Sequence, residues 1–110
     1  MAFTPYHNVT GSTGVDVELI APNEGVGSIN SILITNTHAT AEATVTLFIE
    51  DNPTASAASI FKILSTVAIP SDTSLLLDNS SVLSFDNSYS GFGLYVTVGS
   101  SDTLDIMINI

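Results

Sequence analysis

The chain has no cysteine, no tryptophan and no arginine, and its single basic residue is Lys62. Without cysteine there is no disulfide, no thiolate metal site and no thiol nucleophile. Proteins that neutralise nucleic-acid phosphates do so with Lys and Arg. Eleven carboxylates and a formal net charge of −10 repel that partner. Binding to an anionic membrane surface is disfavoured on the same grounds. No apolar run approaches the length of a membrane-spanning helix. The opening MAFTPYHNVTGSTG has neither the basic start nor the apolar stretch of a signal peptide.

Charge of either sign is scarce as well, at 11% of residues, which is low for a monomer's surface. Ser, Thr and Asn must therefore cover much of the exterior. A neutral polar surface packs readily against other subunits because few charges are desolvated on contact. A plain Ser/Thr-rich β protein accounts for the composition equally well. At 110 residues and 45% hydrophobic content the chain has material for one domain with one core.

The dominant pattern is a period of two, with no convincing helical stretch. FGLYVTV sets Phe92, Leu94, Val96 and Val98 against Gly93, Tyr95 and Thr97. LDIMINI sets Leu104, Ile106, Ile108 and Ile110 against Asp105, Met107 and Asn109. ATVTLFIE sets Ala43, Val45, Leu47 and Ile49 against Thr44, Thr46, Phe48 and Glu50. Such alternation indicates half-buried antiparallel strands. VDVELI, SILIT and SIFKIL are apolar on both faces, which predicts central strands or strands facing a second interface. Turn signals APNEGVG, NTHAT, DNPTASAAS, PSDTS, DNSYSG and GSSD fall between them at a spacing typical of sandwiches. HATAEA and TASAAS are alanine-rich enough for a turn of helix each. The expected fold is all-β: an antiparallel sandwich or jelly roll of about seven to eight strands over residues 15–110. Residues 1–14 are expected to form an N-terminal arm, with a frayed first strand as the alternative.

Catalytic chemistry finds few candidates. His7 and His38 are the only histidines, and no G-x-S-x-G turn accompanies them. Glu50 and Asp51 are adjacent, so on a strand they point to opposite faces. The corners Asp51-Asn52, Asp78-Asn79 and Asp86-Asn87 lack the alternating ligand spacing of a calcium loop, and Asp/Asn turn chemistry explains them. The glycines at 25, 27, 91 and 93 lack the following helix of a phosphate loop. Asn8-Val9-Thr10 and Asn79-Ser80-Ser81 match the glycosylation pattern, which short chance matches also do. No catalytic residue, cofactor or metal ligand is expected.

Three segments carry a family likeness: SINSILITNTHATAEATVTLFIED, FKILSTVAIPSDTSLLLD and GLYVTVGSSDTLDIMINI. Together they resemble small virion structural proteins of tailed bacteriophages, over roughly residues 17 to 110. The resemblance rests on framework features such as Asn36-Thr37 and Ile69-Pro70. It implies a β-sandwich attached to the particle exterior, on the capsid, at the neck or along the tail. The expected role is non-enzymatic decoration of a capsid by a homo-oligomer whose partners are the major capsid protein or other virion proteins. The candidate interface residues are Phe3, Pro5 and Tyr6 of the arm, Leu33, Phe48 and Leu76 on strands, and Tyr89 on a turn. A neck or tail component is one alternative, and a carbohydrate- or host-surface-binding module using exposed tyrosines is the other.

Overall fold

In the computed structural model, residues 4–12, 15–26, 28–51, 59–81, 83–88 and 91–110 are described, and they contain eight strands and no helix. The strands are β1 (Tyr6–Thr10), β2 (Asp16–Ile20), β3 (Ser31–Asn36), β4 (Ala43–Asp51), β5 (Ile60–Ile69), β6 (Ser74–Leu77), β7 (Phe92–Val98) and β8 (Thr103–Asn109). One sheet has the order β1-β8-β3-β6 and the other β2-β7-β4-β5. The pairs β1·β8, β2·β7, β3·β6 and β4·β5 are nested antiparallel pairs, as in one long hairpin whose successive pairs alternate between the two sheets. The contacts β3·β8 and β4·β7 close the roll. Of the two expected architectures, this nesting is the jelly roll.

The alternation seen in the sequence becomes the core. Ile32 and Ile34 of β3 and Leu104, Ile106 and Ile108 of β8 face Val45 and Leu47 of β4 and Leu94, Val96 and Val98 of β7, all buried. Each such side chain contributes roughly 1.5–3 kcal/mol by leaving water. Ile110, placed on the same face by the pattern, lies past the end of β8 and is exposed.

Two of the two-faced segments lie in edge strands rather than the central ones expected. SIFKIL lies in β5, an edge strand. Against β4, Val45 pairs with Val67, Leu47 with Leu64 and Phe48 with Lys62, so β5 gains two extra residues at irregular points. Each extra residue reverses the face of those that follow. At the first of these points Thr66 takes φ 51, uncommon for a β-branched residue, and its N–H donates to Thr46 Oγ1 at 2.9 Å. VDVELI ends in β2, also an edge, where a register shift between Glu18 and Ile20 lets Leu19 and Ile20 both turn inward. SILIT is the exception: β3 is an inner strand, and Leu33 points outward.

Within the stretch expected as an arm, residues 6–10 belong to the sandwich. Tyr6–Thr10 is β1, paired with β8, and the Pro5 carbonyl accepts from the Ile108 N–H at 2.8 Å. Proline at the start of an edge strand loses no ladder bond. Phe3 lies outside the described residues, as does TASAAS up to Ala58. HATAEA forms a turn rather than helix: the N–H groups of Thr40 and Ala41 each donate to His38 Nδ1 at 3.1 Å.

Candidate functional site

Cross-strand register determines which outward side chains become neighbours. On the outer face of the first sheet, Tyr6 of β1 stands opposite Met107 of β8, Met107 opposite Leu33 of β3, and Leu33 opposite Leu76 of β6. Four apolar side chains thus form one row across the full width of the sheet. Tyr6 is 69% exposed, Leu76 54% and Met107 45%, while Leu33, flanked on both sides, is half-buried. The row two residues along is polar throughout: Asn8, Asp105, Thr35 and Ser74. Its members satisfy one another, with Asn8 Nδ2 donating to Asp105 Oδ1 and the Thr35 and Ser74 hydroxyls 2.8 Å apart. On the other flank lie Ser31 and Asn109. Among the described residues, the apolar row is the feature of this face left facing solvent.

Three of its members, Tyr6, Leu33 and Leu76, are among the residues expected at an interface. Met107 was missed, although its signal was present as the lone apolar residue among Asp105 and Asn109 on the polar side of LDIMINI. Pro5 is half-buried beside the row's end, and Tyr89 lies outside the described residues. Phe48 belongs elsewhere. It sits on the outer face of the second sheet, only 5% exposed, and stacks on Tyr95 with ring centroids 5.8 Å apart. Its surface is covered by its own chain, so it offers a neighbour little.

Tyr95 is likewise 5% exposed rather than presented to solvent. Its ring lies over Gly93, where an added Cβ would stand 2.9 Å from Tyr95 Cε1 and 2.6 Å from the Ile20 carbonyl oxygen. The hydroxyl donates to Glu18 Oε2 at 3.2 Å. Burial, then the Glu18 charge and that hydrogen bond, then the Glu50 charge, push the Tyr95 phenol far above its usual range. Glu50 is itself raised, first by burial and then by Asp16 and Asp51.

The Tyr95 shift has a testable sign. In the unfolded chain a tyrosine ionises near pH 10, while folded Tyr95 still holds its proton. Stability is therefore highest below about pH 10 and declines as the pH rises from there towards the folded value. Phenolate absorbance should show Tyr95 silent until the protein unfolds, and Tyr95→Phe should flatten that part of the alkaline decline. Titration of Tyr95 near pH 10 in the folded protein would contradict this burial.

The remaining polar candidates serve the backbone. His7 Nε2 meets the Thr4 carbonyl at 2.9 Å. Asp51 Oδ1 accepts from the Ser59 N–H at 2.6 Å, Asp86 Oδ1 from Ser88 at 3.0 Å and Asn79 Oδ1 from Ser81 at 3.1 Å. The Ser88 hydrogen bonds hold the Asp86 carboxyl below its usual range. Among the described residues, no three or more His, Asp or Glu side chains gather as a metal site. Beside the aromatic pair, Ser12, Thr44, Thr46, Thr66, Thr97 and Ser100 line a shallow hollow of about 270 Å³. Three of these hydroxyls are already engaged: Thr46 accepts from the Thr66 N–H, the Thr46 and Thr66 hydroxyls lie 3.5 Å apart, and Thr97 donates to Asp16 Oδ1 at 2.7 Å.

No protein-family model matches the chain, and no curated protein matches it.

Proposed function

We propose that this protein is a non-enzymatic structural component of a tailed-phage virion that decorates the capsid exterior through protein contacts. The observation that carries the reading is the solvent-facing apolar row Tyr6–Met107–Leu33–Leu76, a surface suited to a neighbouring protein. The framework likeness of residues 17 to 110 to small phage virion proteins supports the setting. An acidic, arginine-free chain suits a position facing solvent rather than packaged DNA. The jelly roll is an architecture that capsid proteins use, and lectins use it too, so the site and not the fold bears the argument.

The test is a count of copies. In quantitative mass spectrometry of gradient-purified particles, this chain is expected at a ratio on the order of one to the major capsid protein. A ratio of a few per cent assigns it to the neck or tail instead. Absence from particles removes the virion reading and favours the soluble binding module.

A further inference from the structure

We propose that the outer face of the β1-β8-β3-β6 sheet packs against the same face of a second copy of this chain, with the apolar row at the centre of a two-fold contact. The inference rests on reading this face as a contact surface, and it commits that surface to one occupant.

Charge selects the occupant. The chain carries a formal net charge of −10, so two copies repel over most of their surfaces. Among the outward strand positions of this sheet only Asp105 is charged, and Asn8 already donates to it. The outer face of the other sheet carries Asp16, Glu18, Glu50 and Lys62. A basic partner would be drawn to that second face, whereas a like-charged copy meets least repulsion at the first. Apolar on apolar with polar flanks that carry one charge, Asp105, is also self-complementary, which a two-fold contact requires.

The edges are poor alternatives. β1 and β6 have five and four residues. β2 is interrupted by a register shift, and β5 by two, together with Lys62. Short, bulged and lysine-bearing edges resist pairing with another strand. Face-to-face packing, with sheets roughly 10 Å apart, remains open.

The area indicates how strong the contact is. Four strands roughly 4.8 Å apart, crossed by a few residues at about 3.4 Å each, give a face on the order of 300 Å² in plan. Even with side-chain relief, two such faces fall below the roughly 1,200–2,000 Å² of a stable standard interface. The pairing is therefore weak and filled by mass action. It saturates where copies are held close together, as on an assembled particle.

Sedimentation velocity of the full chain from about 10 μM to about 1 mM tests this. Wild type is expected to move from monomer towards dimer, and more completely in 1 M NaCl, because salt screens like-charge repulsion. Met107→Asp and Leu33→Asp put a carboxylate at the centre of the contact and should weaken association at least tenfold. Both side chains point outward, and circular dichroism checks that each variant stays folded. If Leu33→Asp unfolds, the more exposed Met107→Asp decides alone. Wild type that stays monomeric at 1 mM in high salt overturns the proposal, as does a folded Met107→Asp that dimerises like wild type. Neither result alters the copy number on particles, so this inference and the virion reading fail separately.

Discussion

Asn36→Ala is expected to lower the unfolding free energy by about 2–4 kcal/mol, one of the largest losses available to a single substitution in this chain. Asn36 ends β3 with its side chain fully buried. Its two amide hydrogens are shared among the carbonyls of Ala41 at 2.9 Å, Ile69 at 3.0 Å and Pro70 at 3.3 Å, while its oxygen accepts from the His38 N–H at 3.0 Å. One side chain thus ties the end of β3 to the turn that follows it and to the exit of β5 in the opposite sheet. Alanine leaves these backbone groups without their partner and opens a cavity. For a domain of this size the loss corresponds to a fall in Tm of about 10–20 °C, readable by calorimetry.

Asn36→Asp separates hydrogen bonding from packing. A carboxylate keeps the acceptor for His38 but has no hydrogen to give the three carbonyls, so it should destabilise at least as much as alanine at neutral pH. Burial among carbonyl oxygens raises its folded pKa above the unfolded value near 4. The variant should therefore regain stability as the pH falls through that window, where the introduced carboxyl, once protonated, can donate again. A variant as stable as wild type at pH 7 would mean that these bonds contribute nothing.

Gly11→Ala is the second substitution with a large expected effect, again about 2–4 kcal/mol. The link after β1 crosses the β7–β8 turn here. The Gly11 N–H donates to the Asp102 carbonyl at 2.8 Å, and the Gly11 carbonyl accepts from the Ser101 N–H at 3.0 Å. An added Cβ would collide with the carbonyl oxygens of Gly99 and Val98 and stand 2.7 Å from the Val98 carbonyl carbon. All three are backbone atoms and cannot swing aside as a side chain can. The same turn anchors β4, because Asp102 Oδ2 accepts from the Thr44 N–H at 3.1 Å and the Gly99 N–H donates to the Thr44 carbonyl at 3.0 Å. Prising Gly11 away therefore disturbs both sheets. Denaturant unfolding should show the loss, and the exposed neighbour Ser12→Ala should leave the midpoint unchanged. Ser101→Gly in the same turn should act in the opposite sense, by about 0.5 kcal/mol, since Ser101 holds φ 68.

Much of this architecture was legible along the chain because side chains of an extended backbone alternate between faces. Leu104, Ile106 and Ile108, and Leu94, Val96 and Val98 declared their inward faces by local pattern alone, and each is buried. The likeness singled out Asn36 and Ile69 as framework residues. Only the fold showed that the amide of one holds the carbonyl of the other. Asp86-Asn87 read as turn chemistry, which Asp86 performs. Asn87 is instead buried, accepting from the Val26 N–H at 2.8 Å and donating to the carbonyls of Ala21 and Phe92. Nothing in the dipeptide distinguishes the two roles, because burial depends on segments distant in sequence.

Composition and periodicity by themselves determined an acidic all-β domain, with several inward faces marked and a few apolar residues left on outward ones. They could not distinguish an edge strand carrying bulges from a central strand, because a bulge exists only relative to the strand beside it. Nor could they bring Tyr6, Leu33, Leu76 and Met107 into one row. Local pattern decides which way a side chain points, whereas pairing register decides what stands next to it. Register is set between strands that are far apart in the chain, so the apolar row came into being only when the roll closed.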